Sequence, residues 1–314
     1  MKIIINGDNE GPVLDFSDEY PTIDVKPEFI QGDKKNPNLT NKRKYSSQWT
    51  GSDTEKRYDE NVAKGIKHFY KKDDFYYDIN ANGFRCDNFD TMDFTKKSII
   101  YLGCSKTYGI GVSESDAWPT IVHERIQKEH NTTYNYVNLG VPGGGIDFYL
   151  HFLPYFSKFN PALIISATPE IVRMNLIRDE RSPEQVAEDE GEVFLRNYIT
   201  SDVEGNEGHL DNIYKGMVSY GDAYFEYRKR VVYANIDSVA KMLNARFVES
   251  NSKYNHTFYG SSLANLPKRF QKGWVTKNSS NKLNARDLLH PSISQHKNFT
   301  ETMMNKILIN TVEY

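Results

Sequence analysis

Ile99-Ile100-Tyr101-Leu102-Gly103-Cys104-Ser105-Lys106-Thr107-Tyr108-Gly109 is the stretch on which the reading of this chain turns. An apolar, β-prone run ends in a glycine and a small polar cluster, the pattern of a buried strand handing over to a loop or helix. Ser105 stands at that handover. In open α/β sheets the carboxyl edge of the strands is where ligands bind. A serine placed there becomes a nucleophile if a base reaches its proton.

Outward from this stretch, apolar runs occupy 98–103, 136–139, 163–168 and 246–250. Helix-like segments lie between them: 118–128, with Pro119 suited to a first turn, 146–156, and 222–243, whose apolar positions include Val231, Val232, Val239, Met242 and Leu243. Short buried strands alternating with helices predict an α/β fold with a parallel sheet covered on both faces. Right-handed crossovers then bring every strand C-terminus to one edge. Ser292-Ile293-Ser294-Gln295 fits a capping box, so a helix should follow, with Phe299, Met303 and Ile307 on one face. His296 is expected on that helix and exposed. His68, His123, His130, His151, His209 and His256 read as surface or core-edge residues.

The flanks are less regular. Residues 1–60 are polar, with a basic cluster at Lys34, Lys35, Lys42, Arg43 and Lys44. They read as part of an extended N-terminal arm, 1–77, that wraps the domain or docks on a protein partner. The α/β domain is expected over 78–314. An insertion at about 174–220, acidic around 184–192, interrupts its rhythm and reads as a lid or surface excursion. Residues 251–284 read as a long loop leading back to the site.

The 314 residues, 38% hydrophobic and 26% charged, fit a soluble globular chain. A formal net charge of -3 gives no general attraction to nucleic acid. Two cysteines, Cys86 and Cys104, supply neither a disulfide framework nor zinc spacing. No metal or cofactor is expected. No run reaches the ~18 apolar residues of a membrane span, and the N-terminal apolar run is short for a signal peptide. Cytoplasmic synthesis is the expectation, and a place in a phage particle would look the same.

A serine hydroxyl needs an imidazole to take its proton, and the imidazole needs an orienting partner. Asp287-Leu288-Leu289-His290 offers both in one turn. A third element, Asn138-Leu139-Gly140-Val141-Pro142-Gly143-Gly144-Gly145, follows the second strand. Its glycines let backbone N–H groups approach a ligand, as an oxyanion requires. Two rival motifs fail. The phosphate loop needs glycine where Ile100 and Ser105 stand, and Gly140, Gly143 and Gly145 lack the dinucleotide-binding spacing.

Gly103-Cys104-Ser105-Lys106-Thr107-Tyr108-Gly109 resembles the first block of the SGNH/GDSL hydrolases, with Cys104 in place of the usual Asp. Asn138-Leu139-Gly140 resembles their second block and Asp287-Leu288-Leu289-His290 their last. Asn82-Gly83-Phe84-Arg85 and Trp118-Pro119 also fall where members often have them. The resemblance covers about 78–175 and 283–312. The arm, with Trp49-Thr50-Gly51-Ser52-Asp53-Thr54, is similar to uncharacterised members from large tailed phages.

The resemblance implies a three-layer α/β/α sandwich with a central parallel sheet in flavodoxin-like order. It implies a serine esterase in which Ser105 attacks, His290 is base and acid, and Asp287 orients His290. The N–H groups of Ser105 and Gly140 would hold the oxyanion. The family's third block, Gly-x-Asn-Asp, has no counterpart here. Thr168, Arg173 or Asn175 is the candidate to replace its Asn. The implied substrate is a small-molecule or carbohydrate ester, such as an O-acetyl group. An O-acyltransferase, or an inactive binding or structural protein on the same fold, stays open as an alternative.

Overall fold

The computed structural model describes residues 2–4, 13–15, 45–169, 176–179, 195–198, 222–250 and 285–309. An N-terminal pair, β1 (Lys2–Ile4) with β2 (Val13–Asp15), is antiparallel. A second antiparallel pair joins β3 (Tyr45–Ser47) to β4 (Tyr77–Ile79). Between these two strands lies α1 (Glu55–Ala63), capped by Thr54, whose hydroxyl accepts the Arg57 N–H. A helix at this position was not expected in a segment read as irregular.

The central sheet begins at β5 (Ser98–Gly103). The short α2 (Ser105–Tyr108) follows at once, and α3 (Trp118–His130) leads to β6 (Asn135–Gly140). A 3-10 helix (Ile146–Tyr155) then returns to β7 (Pro161–Ser166). The antiparallel pair β8 (Leu176–Asp179) and β9 (Leu195–Tyr198) falls inside the expected insertion. Next come α4 (Asp222–Met242), β10 (Arg246–Glu249) and finally α5 (Ile293–Ile309). The rest of the insertion, the basic cluster of the arm and the expected loop at 251–284 lie outside the described residues.

The four long-range strands pair in parallel in the order β10-β7-β5-β6. In chain order this is 2-1-3-4, the start of the flavodoxin-like arrangement. Alternation along β5 decides the layers. Ile100 and Leu102 face one side, with Val137, Leu139 and Ile164, and are covered by Phe148, Phe152 and Phe156 of the 3-10 segment and by Val232 and Ile236 of α4. Ile99 and Tyr101 face the other, with Leu163 and Ile165, under Trp118, Val122 and Ile126 of α3 and Phe299, Met303 and Ile307 of α5. The protein is therefore a three-layer α/β/α sandwich. Every residue of β5 is buried on both faces, which is why its sequence is a continuous apolar run rather than an alternating one.

The readings of His123 and His296 need correction, and two helix-like segments gain detail. The segment after β6 is 3-10 rather than α-helical over Ile146–Tyr155, and it contains Pro154, whose missing N–H breaks an α-helical ladder. In α4 the buried face is Val232, Tyr233, Ile236 and Ala240, whereas Val231 and Met242 are exposed; the helical period gives the buried face to residues four apart. His123 is buried, and its ring meets Tyr101 and Tyr136 edge-on. His296 is fully buried rather than exposed. The Trp118 N–H, a first-turn amide with no acceptor inside its own helix, donates to His296 Nδ1 at 3.1 Å. That bond ties the start of α3 to α5. The capping box forms as read: Gln295 N–H donates to Ser292 Oγ at 3.3 Å and Ser292 N–H to Gln295 Oε1 at 2.7 Å.

Burial pushes His296 down to about 3, with His290, Arg85 and Lys106 adding repulsion, and burial pushes His123 down to about 4. Both stay neutral in the native state while the unfolded chain takes up protons near the ordinary histidine value. Their stabilisation is thus complete above about pH 6.5 and is lost as pH falls toward those lowered values. His296→Asn keeps an acceptor for Trp118 and removes one titrating group. Urea unfolding at graded pH should show a smaller loss of stability below neutrality for this variant than for wild type.

Candidate active site

The turn out of β5 is set by a close approach. A Cβ on Gly103 would lie 1.7 Å from Thr107 Oγ1, so only glycine lets α2 fold back against the strand end. The carbonyl of Cys104 accepts the N–H groups of Thr107 and Tyr108, both at 2.9 Å, and starts the helix. Arg85 closes its other end: Nη1 donates to the carbonyls of Gly109 at 2.6 Å and Val112 at 3.1 Å. The buried guanidinium also lies 4.7 Å from the centre of the Tyr77 ring. The Asn82–Arg85 lead-in thus serves as a clamp on the far end of α2. Ser105 is left at the first position of the helix, 7% exposed. Its own N–H has no acceptor within α2.

Asp287 and His290 approach from the other end of the sequence. The Asp287 side chain holds its own turn: Oδ1 accepts the N–H groups of Leu289 and His290, each at 3.1 Å. Leu288 between them takes φ +59°, a left-handed conformation that costs a non-glycine residue about 1–2 kcal/mol. Oδ2 stands 2.6 Å from His290 Nδ1, and His290 Nε2 stands 2.8 Å from Ser105 Oγ. Ser105, His290 and Asp287 therefore lie in one hydrogen-bonded series, with the His290 side chain 14% exposed and that of Asp287 fully enclosed.

Burial alone would raise the Asp287 carboxyl. The facing His290, its hydrogen bond and those from Ser52 and the Leu289 N–H outweigh that and hold the group below the usual carboxylate range. A group so depressed stabilises the fold above its unfolded value, and this contribution disappears as pH falls through the depressed one. The carboxylate therefore stays charged at neutral pH, where it can orient an imidazole.

Residues that sequence reading did not single out surround this turn. Ser52 Oγ donates to Asp287 Oδ2 at 2.6 Å. Next to it, Asp53 pairs with Arg286, both side chains fully enclosed: Arg286 Nη2 lies 2.8 Å and Nε 3.0 Å from Asp53 Oδ2. Tyr77 donates to the same oxygen at 2.5 Å and accepts the Gly111 N–H at 2.8 Å. Arg286 Nη1 donates to Lys72 O at 2.9 Å and Nη2 also donates to Gln48 O. Its guanidinium lies 4.2 Å from the Trp49 ring centre and 4.0 Å from that of Phe75, both cation–π contacts. Only the Trp49–Thr54 motif, already visible as unusual, signalled this region.

The expected oxyanion donors fare differently. Gly140 pairs with Gly103 in the sheet, but its N–H donates to Asn138 Oδ1 at 2.9 Å. That bond competes with the oxyanion role expected for this N–H. Asn138 is itself buried and its Nδ2 donates to Thr107 O at 2.9 Å. Glycine at 140 serves a close approach, since a Cβ there would lie 2.5 Å from the Tyr108 nitrogen. Thr168 is also committed elsewhere. Its hydroxyl donates to Ser250 O at 3.0 Å and accepts from Tyr233 at 2.6 Å, joining the ends of β7 and β10 to α4. Arg173 and Asn175 lie outside the described residues. Beyond β6, Gly144 N–H returns to Val141 O at 2.9 Å. Gly143 takes φ +76° in that turn, as the third residue of a type II turn with Pro142 second requires. Among the described residues no cluster of His, Cys, Asp and Glu could hold a metal, and the buried Cys86 and Cys104 are not in a disulfide.

No protein-family model and no curated protein matches this chain. Solved structures do. TesA is 14% identical with a TM-score of 0.32, the match covering 67% of this chain and 98% of that one. A family 3 carbohydrate esterase of Clostridium thermocellum is 12% identical with a TM-score of 0.30, over 68% and 98%. AlinE4, an SGNH-hydrolase family esterase, is 14% identical with a TM-score of 0.26, over 70% and 98%. Likeness at this level leaves the chemistry to be read from the chain's own side chains.

Two variants test this architecture. Arg286→Ala leaves the Asp53 carboxylate enclosed without its cation and should cost about 3–5 kcal/mol in urea unfolding. Gly140→Ala keeps the backbone N–H yet should destabilise the fold and reduce any Ser105 reactivity, because the new methyl meets the α2 backbone. Circular dichroism melting, read beside Ser105 labelling by a fluorophosphonate, checks both.

Proposed function

We propose that this chain is a serine esterase of the SGNH type that removes small acyl groups, with O-acetyl groups on a carbohydrate as the substrate class. The observation that carries the reading is the series Asp287–His290–Ser105, with contacts of 2.6 and 2.8 Å, at the carboxyl edge of a parallel sheet. His290 Nε2 takes the Ser105 proton as the hydroxyl attacks the ester carbonyl, and returns it to the departing alcohol. Water, activated by the same nitrogen, then releases the acyl group from Ser105. Asp287 keeps the Nδ1–H tautomer and faces the imidazolium formed at each transfer. The oxyanion is assigned to the Ser105 N–H, a first-turn amide with no acceptor inside α2. Such donors act on charge that develops only in the transition state. A small acyl group suits a serine that is only 7% exposed. The sugar portion rests on the family resemblance and on the chain's 21 Tyr and 17 Phe.

A second reading has its own support. The engagement of Gly140 N–H by Asn138 and of Thr168 by Ser250 occupies two of the expected oxyanion donors. Loss of one such donor costs about 10²–10³ in rate, so a weak enzyme or an inactive binding protein on this fold is the alternative. The arm then serves as the contact to a protein partner, as in a phage particle.

Fluorophosphonate labelling separates the two. An esterase should be modified stoichiometrically at Ser105, and Ser105→Ala should abolish both labelling and p-nitrophenyl acetate turnover. His290→Ala should fall to background, and Asp287→Asn should drop kcat by about 10⁴ through loss of the orienting anion. A folded wild-type protein that takes no label would favour the binding protein.

A further inference from the structure

We propose that Ser52 is a positioning residue for the Asp287–His290 pair, a role that rests on the esterase reading of the same site. Ser52 Oγ donates to Asp287 Oδ2 at 2.6 Å, the oxygen that also faces His290 Nδ1 at 2.6 Å. The same hydroxyl stands 3.4 Å from His290 Nδ1. The other Asp287 oxygen is taken by the amides of its own turn. The carboxylate therefore has no freedom to rotate: one oxygen is fixed by backbone, the other by Ser52.

The mount of Ser52 makes it rigid. Thr50 and Asp53 exchange both backbone hydrogen bonds at 3.0 Å, which frames Gly51 and Ser52 in a tight turn. Asp53 is then clasped by Arg286. Two consecutive residues, Ser52 and Asp53, thus grip two consecutive residues, Asp287 and Arg286, from a position 235 residues away. Ser52 cannot drift without moving a fully enclosed ion pair.

The consequence is chemical. A carboxylate with a second strong donor on Oδ2 is a weaker base and stays in line with Nδ1, so the imidazole presents Nε2 to Ser105 in the tautomer that accepts a proton. Removing the hydroxyl frees Oδ2, makes the carboxylate a stronger partner for the imidazolium, and loosens the ring. The charged and titrating groups around the pair are Arg286 on the same turn, Asp53 on the N-terminal segment, and His296 on α5 with Arg85 and Lys106 about it. None of them is replaced in the variants at Ser52.

Full-length Ser52→Ala and Ser52→Thr test this, with folding checked by circular dichroism. On p-nitrophenyl acetate, Ser52→Ala should lower kcat about tenfold with KM little changed and move the acid limb of kcat/KM upward. Ser52→Thr, which keeps the hydroxyl, should restore both. An NMR titration of the His290 imidazole should show a higher midpoint in Ser52→Ala, a readout that needs no turnover. Wild-type fluorophosphonate labelling separately reports whether the serine is activated, so failure of the esterase reading is seen apart from failure of this one. An unchanged kcat with an unchanged His290 midpoint, or a Ser52→Thr protein no better than Ser52→Ala, would overturn the role of Ser52.

Discussion

The enclosed pair of Asp53 and Arg286 is the constraint on which the site depends. Two charges with no solvent contact are costly, and their mutual attraction offsets the desolvation only when the remaining polar atoms are satisfied. Here they are. Tyr77 supplies a third partner to the carboxylate, backbone carbonyls take the outer guanidinium nitrogens, and two aromatic faces lie against the planar cation. Arginine suits this position because its flat fork can be held edge-on by acceptors and face-on by rings. A pair that is this costly to break fixes where residues 48–53 sit relative to the turn at 286–290, and so fixes the carboxylate that faces His290.

Opposite this clasp, the parallel sheet supplies a rigid edge. Gly103 and Gly140 are directly paired neighbours on β5 and β6, and both are small because α2 lies against them. The serine is thus held by backbone packing, while the imidazole and carboxylate are held by polar contacts. The two halves meet in one hydrogen bond between His290 and Ser105. Precision in such an arrangement comes from the rigid elements behind each group, since a misplacement of about 1 Å can cost about a hundredfold in rate.

The sequence made the sheet legible because buried parallel strands are continuous apolar runs. The boundaries read from it at 98–103 coincide with β5, and those of the other strands fall close to the observed ends. The capping box at Ser292 was legible for a similar reason: its signal is local, four residues long. What escaped was non-local or atomic in detail. Ser52 meets Asp287 across 235 positions, and no period or spacing in the sequence announces such a pair. His296 looked like a polar residue on a helix surface, yet an unpaired amide at the start of α3 needed its ring. Gly140 was rightly seen at the end of a strand, but a glycine needed for close approach and a glycine needed for its N–H look the same in sequence. The Asn138 side chain, turned back on that N–H, is visible only in three dimensions.

The distances along the chain between the interacting groups carry a consequence for how the protein comes into being. Ser105 and His290 are 185 residues apart, and the ribosome delivers the serine first, at roughly 5–20 residues per second. For the seconds that follow, the nascent chain carries an ordinary alcohol, with no imidazole to take its proton. A potentially reactive group is therefore made early and stays chemically silent until the far segment emerges and docks. The contact between His290 and Ser105 can form only after the later of the two segments has been made and has docked.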